Sequence, residues 1–234
     1  MVTRLVIALL LLAVTAHAQV VRKVLRPDLG APINQTGVRY WWPLAEGGID
    51  RSSTNHGQVG SAAVMSSPVG TAMRFTGSTL VSNFPSIIFP VEERTIEFWF
   101  SSTNRNVRTG PATTRSGSSG LAIIQNISGS NTLTFAHIGG ANVTISNLVH
   151  DGRWQHIAYT KASSTAVSLY VNGVAVASVG STTETVGSFN GSLGEEERND
   201  TPRFDGGLAQ FRVHNRAASA GEIRSRYYAR RPTQ

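Results

Sequence analysis

Hydrophobic and polar positions alternate with period two through most of the chain, in short runs separated by Gly, Ser, Thr and Asn. The clearest run is Arg94–Ser101 (RTIEFWFS), which sets Ile96, Phe98 and Phe100 on one side and Thr95, Glu97 and Trp99 on the other. Similar runs predict strands at 38–44, 121–127, 132–138, 143–148, 154–161, 166–172 and 204–214. Residues 72–75 and 79–83 flank Gly77 and predict a short hairpin. Asn172-Gly173 stands between Leu169-Tyr170-Val171 and Val174-Ala175-Val176 and predicts a type I′ turn, whose two central residues both need positive φ. Helical signal enters only near the end. Ser219 and Glu222 form a capping box, and Ile223 and Tyr227 stand four apart on one face.

Strand after strand with one terminal helix predicts an all-β fold: a two-sheet antiparallel sandwich with a short C-terminal helix. Residues 19–37, punctuated by Pro27 and Pro32, read as an extended arm; 38–228 form the domain and 229–234 a basic tail. Residues 102–120 interrupt the rhythm as a long polar loop without an acidic residue. Residues 1–18 read as a signal peptide. A basic start leads into an apolar run at 5–16, broken only by Thr15, and Ala16-His17-Ala18 flanks a cleavage point with small residues. That run is shorter than the roughly 20 residues needed to span hydrocarbon. The expectation is therefore cleavage before Gln19, delivery to the medium or cell surface, and no transmembrane segment afterwards.

Composition sharpens this in two ways. Cys is absent, so the sandwich must be held by its core alone, and thiolate metal sites and Cys nucleophiles are excluded. The formal charge is +7, or +6 once Arg4 leaves with the signal, and it is unevenly placed. Arg22, Lys23 and Arg26 lie near the mature N-terminus, and Arg224, Arg226, Arg230 and Arg231 crowd the C-terminus. If the chain ends meet, these form an anion-attracting patch, and Arg226 and Arg230 share a helical face if the helix runs that far. Arg105, Arg108 and Arg115 share the polar loop and form a second cationic candidate. The alternative for all of them is dispersed charge that keeps the protein in solution. No nucleic-acid motif accompanies the charge, so a nucleic-acid partner is not expected.

Four motifs, in order, resemble the laminin-G-like jelly-roll branch of the concanavalin A-like lectin/glucanase superfamily. The first is Tyr40-Trp41-Trp42-Pro43-Leu44 with the turn from Asp50 through Asn55 to Gly57; the second is Arg94-Thr95-Ile96-Glu97-Phe98-Trp99-Phe100. The third runs from Asp151-Gly152-Arg153-Trp154 through His156 to Asn172-Gly173. The fourth is Phe204-Asp205-Gly206-Gly207-Leu208, continuing to Arg212-Val213 and the Glu222-Ile223 helix. The resemblance implies two curved sheets face to face with chain ends close together, and it makes carbohydrate the leading ligand class. Two positions depart from the family pattern. Ser53 stands where the family favours Gly, and Ala209 where it usually carries Asp.

Catalytic readings find little support. Glycoside hydrolases of this fold resemble one another in a Glu-x-Asp-x-x-Glu strand, whereas Glu97 stands alone in its run. Trp154 and Tyr170 read as core aromatics, Asp151-Gly152 as a turn, and His156 as a lone strand histidine. No cofactor is required on this reading. Calcium is the metal to weigh, through Glu195, Glu196 and Asp200 in the acidic segment before the last strand and Asp205 that follows closely, against a solvated charged loop. Asn34, Asn126, Asn142, Asn190 and Asn199 open Asn-x-Ser/Thr sequons and are glycosylation candidates if the host modifies them. The expected function is a secreted, non-catalytic module that binds a glycan or cell-surface polymer through its loops. The alternative is an adhesive or structural surface protein that binds a protein partner or an anionic polymer. A polysaccharide-active enzyme without the usual motif comes third.

Overall fold

The computed structural model describes residues 38–42, 44, 58–59, 63–77, 81–87, 93–113, 120–127, 131–137, 139–148, 150–162, 166–180, 189–195 and 203–230. All lie in one compact unit, Thr36–Gln234, and only the backbone is described along 38–42, 58–59, 81–87 and 189–190. The strands are β1 (Val38–Trp42), β2 (Gln58–Val59), β3 (Ala63–Ser67), β4 (Gly70–Thr76), β5 (Val81–Ile87), β6 (Arg94–Ser101), β7 (Thr109–Thr113) and β8 (Leu121–Gln125). They continue as β9 (Leu133–His137), β10 (Val143–Ile145), β11 (Gln155–Ala162), β12 (Ala166–Val171), β13 (Val174–Val179), β14 (Phe189–Leu193) and β15 (Asp205–His214). Helix α1 (Ala220–Tyr228) follows.

One sheet runs β13-β12-β11-β6-β15-β4-β3, with β1 also paired to β15; the other runs β10-β9-β8-β7-β14-β5-β2. Pairing between these strands is antiparallel throughout. The chain is thus the two-sheet antiparallel sandwich that its alternation predicts, in the jelly-roll form that the resemblance implies. Between the sheets Phe98 stacks on Phe211 with ring centroids 5.3 Å apart, and Phe100 on Phe204 at 5.6 Å. Phe135 of the second sheet stacks on Tyr159 of the first at 5.0 Å. Such offset aromatic pairs add to the burial that holds two sheets together. The Tyr159 hydroxyl also accepts a bond from Arg94 at 3.0 Å and lies 2.9 Å from His137 Nε2, which gives the polar end of this interior its partners.

Strand β6 alternates as expected, with Ile96, Phe98 and Phe100 facing the core, yet its other face is buried too. Thr95, Glu97 and Trp99 are covered by α1 and the segment leading to it. Thr95 pins that segment, donating to the Arg216 carbonyl and accepting from the Ala218 amide, both at 2.8 Å. The capping box forms: Glu222 N–H donates to Ser219 Oγ and Ser219 N–H to the Glu222 carboxylate. Asn172 and Gly173 take φ of 51° and 79°, as the type I′ turn requires. The turn then packs under the helix, since a Cβ on Gly173 would stand 3.1 Å from Arg224 Cα.

Three strand expectations change. The Gly77 hairpin does not form, because β4 belongs to one sheet and β5 to the other. Gly77, at φ 75°, is the corner between them, and its N–H donates to the Phe204 carbonyl. The local hairpin is β3–β4, closed by Ser67-Pro68-Val69-Gly70, where Ser67 Oγ both accepts from Val69 N–H and donates to the Gly70 carbonyl. The 102–120 segment is not a continuous loop. Its middle is β7, buried along its length and tied to β8 and β14. Trp154 and Tyr170 are not between the sheets: Trp154 is half-buried on the outer face of the first sheet, and Tyr170 is buried there against Ala158, Ala218 and Ile223. Both stand on the strand face opposite to Ile157 and Leu169.

Phe100, fully buried between Phe204 and His150, tests the core. Phe100→Ala should destabilise the fold by about 3–5 kcal/mol. Urea unfolding should show this as a lower midpoint with unchanged slope; an unchanged midpoint would place Phe100 elsewhere.

Candidate functional site

Side-chain and backbone bonds gather several distant segments at one end of the sandwich. Ser101 Oγ donates to the Gly152 carbonyl at 2.7 Å, Gly152 N–H returns to the Ser102 carbonyl, and Ser102 Oγ donates to the Asp205 carbonyl. Gln125 and Asn126 hold the 102–108 turn from within. Gln125 Nε2 donates to Ser102 Oγ, and Asn126 Nδ2 donates to the carbonyls of Asn104 and Val107. Asn104 Oδ1 in turn accepts from the Asn106 and Val107 amides. Buried amides and hydroxyls in these roles fix the turn at fold level.

This rim carries paired charge. Asp151 binds Arg153 at 2.6 Å, Asp205 binds Arg74 at 2.8 Å, and Glu195 binds Arg203 at 3.0 Å. Arg105 is exposed and donates through Nε to the His150 carbonyl. The His150 ring beneath is buried, and burial together with the Arg105 charge lowers its pKa, so it is neutral near pH 7. Trp154 borders the same end. Its indole Nε1 donates to the Ser66 carbonyl at 3.1 Å, and its six-membered ring lies against Gly207.

A second assembly lies under α1, and sequence spacing did not show it. Glu97 is 1 % exposed. Its Oε1 lies 3.2 Å from His214 Nε2 and 3.5 Å from Arg212 Nη1, and its Oε2 lies 3.2 Å from Arg226 Nη1 and 3.9 Å from His156 Nε2. Burial is the largest single influence on Glu97 and favours the protonated acid. The His214 hydrogen bond and the charges of Arg226 and Arg212 together outweigh it and hold the carboxyl well below its usual range. His156, ringed by Trp99 at 5.4 Å and Tyr227 at 6.2 Å, is pushed down to about 4, chiefly by burial. On the surface side, Arg216 binds Glu222 through Nη1 and Nη2 and lowers that acid to about 2. A carboxylate locked between cations is a structural clamp; it has no proton to give at neutral pH.

The structure redistributes the other candidates. Arg226 does not belong to a surface patch, because it is buried against Glu97. Helix α1 ends at Tyr228 and Ala229 caps it, so Arg230 follows in a turn, with its Nε buried and its charge felt at His156. Arg224 alone of this set is exposed among the described residues; Arg22, Lys23, Arg26 and Arg231 lie outside them. Arg105 and Arg108 sit on the rim, and Arg115 lies outside the described residues. Of the calcium candidates, Glu195 and Asp205 each face an arginine, and Glu196 and Asp200 lie outside the described residues. Among the described residues no group of three or more acidic or histidine side chains is placed to hold a metal. Asn126 is not an open acceptor for glycan, since its buried side chain bonds three backbone groups. Asn142 is exposed, whereas Asn34, Asn199 and the Asn190 side chain are outside the described set. No helix among the described residues is long and apolar enough to cross a membrane.

A jelly-roll sandwich with a hydrogen-bonded loop rim at one end defines a class of domain. The chain belongs to the concanavalin A-like lectin/glucanases superfamily, whose laminin-G-like model matches residues 76–224. Among solved structures it is similar to domain 4 of AbnA, a GH43 extracellular arabinanase from Geobacillus stearothermophilus, determined in complex with arabinotriose. That match has a TM-score of 0.68 at 15% identity and covers 80% of this chain and 97% of that domain. It is also similar to the binding domain of Paraclostridial Mosquitocidal Protein 1, with a TM-score of 0.65 at 15% identity, covering 83% of this chain and 52% of that one. The binding domain of botulinum neurotoxin serotype D gives 0.62 at 16% identity, with 82% and 51% covered. The chain thus spans about half the length of those toxin domains. No curated protein matches it by sequence.

The clamp makes two measurable predictions. Glu97→Gln leaves Arg212 and Arg226 facing a neutral group in a buried site and should destabilise the fold by about 3–5 kcal/mol. Acid should act in two stages. Unfolded His156 takes up a proton near 6.5 and the folded residue only near 4, so the unfolded chain holds more protons between those values. Stability should therefore fall as pH drops from 6.5 to 4, in the same direction as the lowered His214. The Glu97 contribution is present above 4.5 and disappears only as pH falls through its lower folded value. Melting temperature followed against pH should decline through the first window, and His156→Gln should flatten that decline. An identical slope in the variant would remove His156 from the account.

Proposed function

We propose that this chain is a secreted, non-catalytic carbohydrate-binding module whose ligand docks at the rim end of the sandwich. The observation that carries the reading is the domain-for-domain correspondence with the arabinanase domain 4, whose structure includes arabinotriose, together with a described 102–108 rim turn held by side-chain hydrogen bonds from Gln125 and Asn126. Exposed Arg–carboxylate pairs at that rim offer donors and acceptors side by side, which suits vicinal hydroxyls. The non-catalytic assignment draws on the state of Glu97, clamped as an anion, and on the arginine partners of Asp151, Glu195 and Asp205. Secretion draws on the leader-like start of the sequence.

An adhesive, protein-binding role is the second reading, and one feature favours it. Strand β13 lies at the edge of its sheet and carries no charge, with Val174 58% and Val176 49% exposed. Uncharged edge strands invite pairing with another strand.

Expression with the leader in a secreting host, followed by N-terminal sequencing of the recovered protein, should return Gln19 as the first residue. The same protein on a glycan array, with and without calcium ions, should retain a defined set of oligosaccharides. Calcium dependence would assign a metal role to the acidic segment around Glu196 and Asp200. An array with no retained sugar, combined with capture of a protein through β13, would favour the adhesive reading instead.

A further inference from the structure

We propose that Trp154, with the Arg74–Asp205 pair beside it, is a subsite for one ring of a neutral glycan on the outer face of the first sheet. This rests on the carbohydrate reading above and narrows it to a place and a chemical class. Trp154 follows the Ser101–Gly152 clasp and leads directly into β11, so its backbone is fixed on both sides. Its indole is fixed as well. Nε1 donates to the Ser66 carbonyl at 3.1 Å, and a Cβ on Gly207 would stand 2.5 Å from Trp154 Cη2 and 2.7 Å from Met65 Sδ. Any residue but glycine at 207 would push the ring off its shelf. The ring is nevertheless only half-buried, and the Nε1 bond lies at the surface. A large aromatic held in one orientation and left partly open to water is preorganised to receive something apolar and flat.

The polar half of the subsite is set by register. Gly207 faces Arg74 across the β4–β15 pair, and Asp205 stands two residues before Gly207, on the same strand face. Arg74 Nη2 and Asp205 Oδ1 are 2.8 Å apart, with 38% and 55% of their side chains exposed. An ion pair that open contributes little to folding, whereas it presents fixed N–H donors next to carboxylate oxygens. A sugar ring has this duality: C–H bonds on one face and hydroxyls around the edge. The indole accepts the first through its electron-rich face, and the Arg–Asp pair binds the second. The class is neutral because Asp205 already neutralises Arg74 and would repel a uronate or sulfate.

The test uses the purified protein against arabino-, xylo-, gluco- and manno-oligosaccharides, with oligogalacturonate as the acidic counterpart. Titration calorimetry gives affinities, and the four Trp indole N–H signals give a direct view, the Trp154 signal being assigned by its loss in Trp154→Phe. A neutral oligosaccharide should shift the Trp154 signal. Trp154→Ala and Asp205→Asn should each weaken binding at least tenfold, while Trp154→Phe should lose less. If Trp154→Ala does not fold, the indole shift in the parent protein and the Asp205→Asn affinity still decide. Neutral sugar bound with an unmoved Trp154 signal and undiminished affinity in Asp205→Asn overturns this subsite and leaves the carbohydrate reading standing. Preference for oligogalacturonate overturns the neutral class, and no binding to any sugar overturns both proposals.

Discussion

A carboxylate with almost no access to water stays ionised only if cations and hydrogen-bond donors replace the water it has lost. Glu97 meets that condition by drawing Arg212 and His214 from its neighbouring strand and Arg226 from the helix, the last 129 residues further along the chain. The outer face of the first sheet is arranged around this requirement. Thr95 fastens the approach to α1, the capping box fixes its first turn, and Trp99, His156 and Tyr227 close over the charge. A strand that looked amphipathic is therefore buried on both faces, one by hydrocarbon and one by a neutralised polar network.

The inner half of this architecture was legible from period-two alternation, because a strand packed against another sheet leaves its mark residue by residue. The Arg94–Ser101 strand, the Asn172-Gly173 turn and the Ser219/Glu222 cap all stand where local chemistry put them. What escaped was set by distance or by a missing side chain. Glu97 looked alone because its partners lie on other elements, and His156 looked alone for the same reason. Strand β7 was hidden by Gly110 and Pro111, which suggest a loop, although its neighbours in the second sheet determine its state. Gly77 gave a true turn signal and a false pairing, since a positive φ marks a corner without saying which sheet the chain enters next. The Trp154 shelf depends on the absence of a Cβ at residue 207, and nothing near Trp154 in the sequence reports it.

The two assemblies divide the work between them. The network beneath α1 fixes the helix and so keeps the sheet beneath it dry, while the rim is held by neutral amides and hydroxyls and leaves its ion pairs at the surface. Charge inside the molecule serves shape, and charge at the rim stays paired at the surface.

The pairing of β1 with β15 has a mechanical side. Val38, where the domain's first strand begins, stands opposite His214, where its last strand ends. A pull applied through the two flanking segments would act at that shared edge, across the strands rather than along them. Backbone bonds loaded across the strands break in succession, as in a zipper, whereas bonds loaded along them must fail together. On the C-terminal side, α1 and the Arg226–Glu97 contact lie between the pull and β15 and must give way first. If the domain serves at a cell surface under flow, its grip on a ligand is then bounded by the force at which that helix lifts, and the β1–β15 edge opens next.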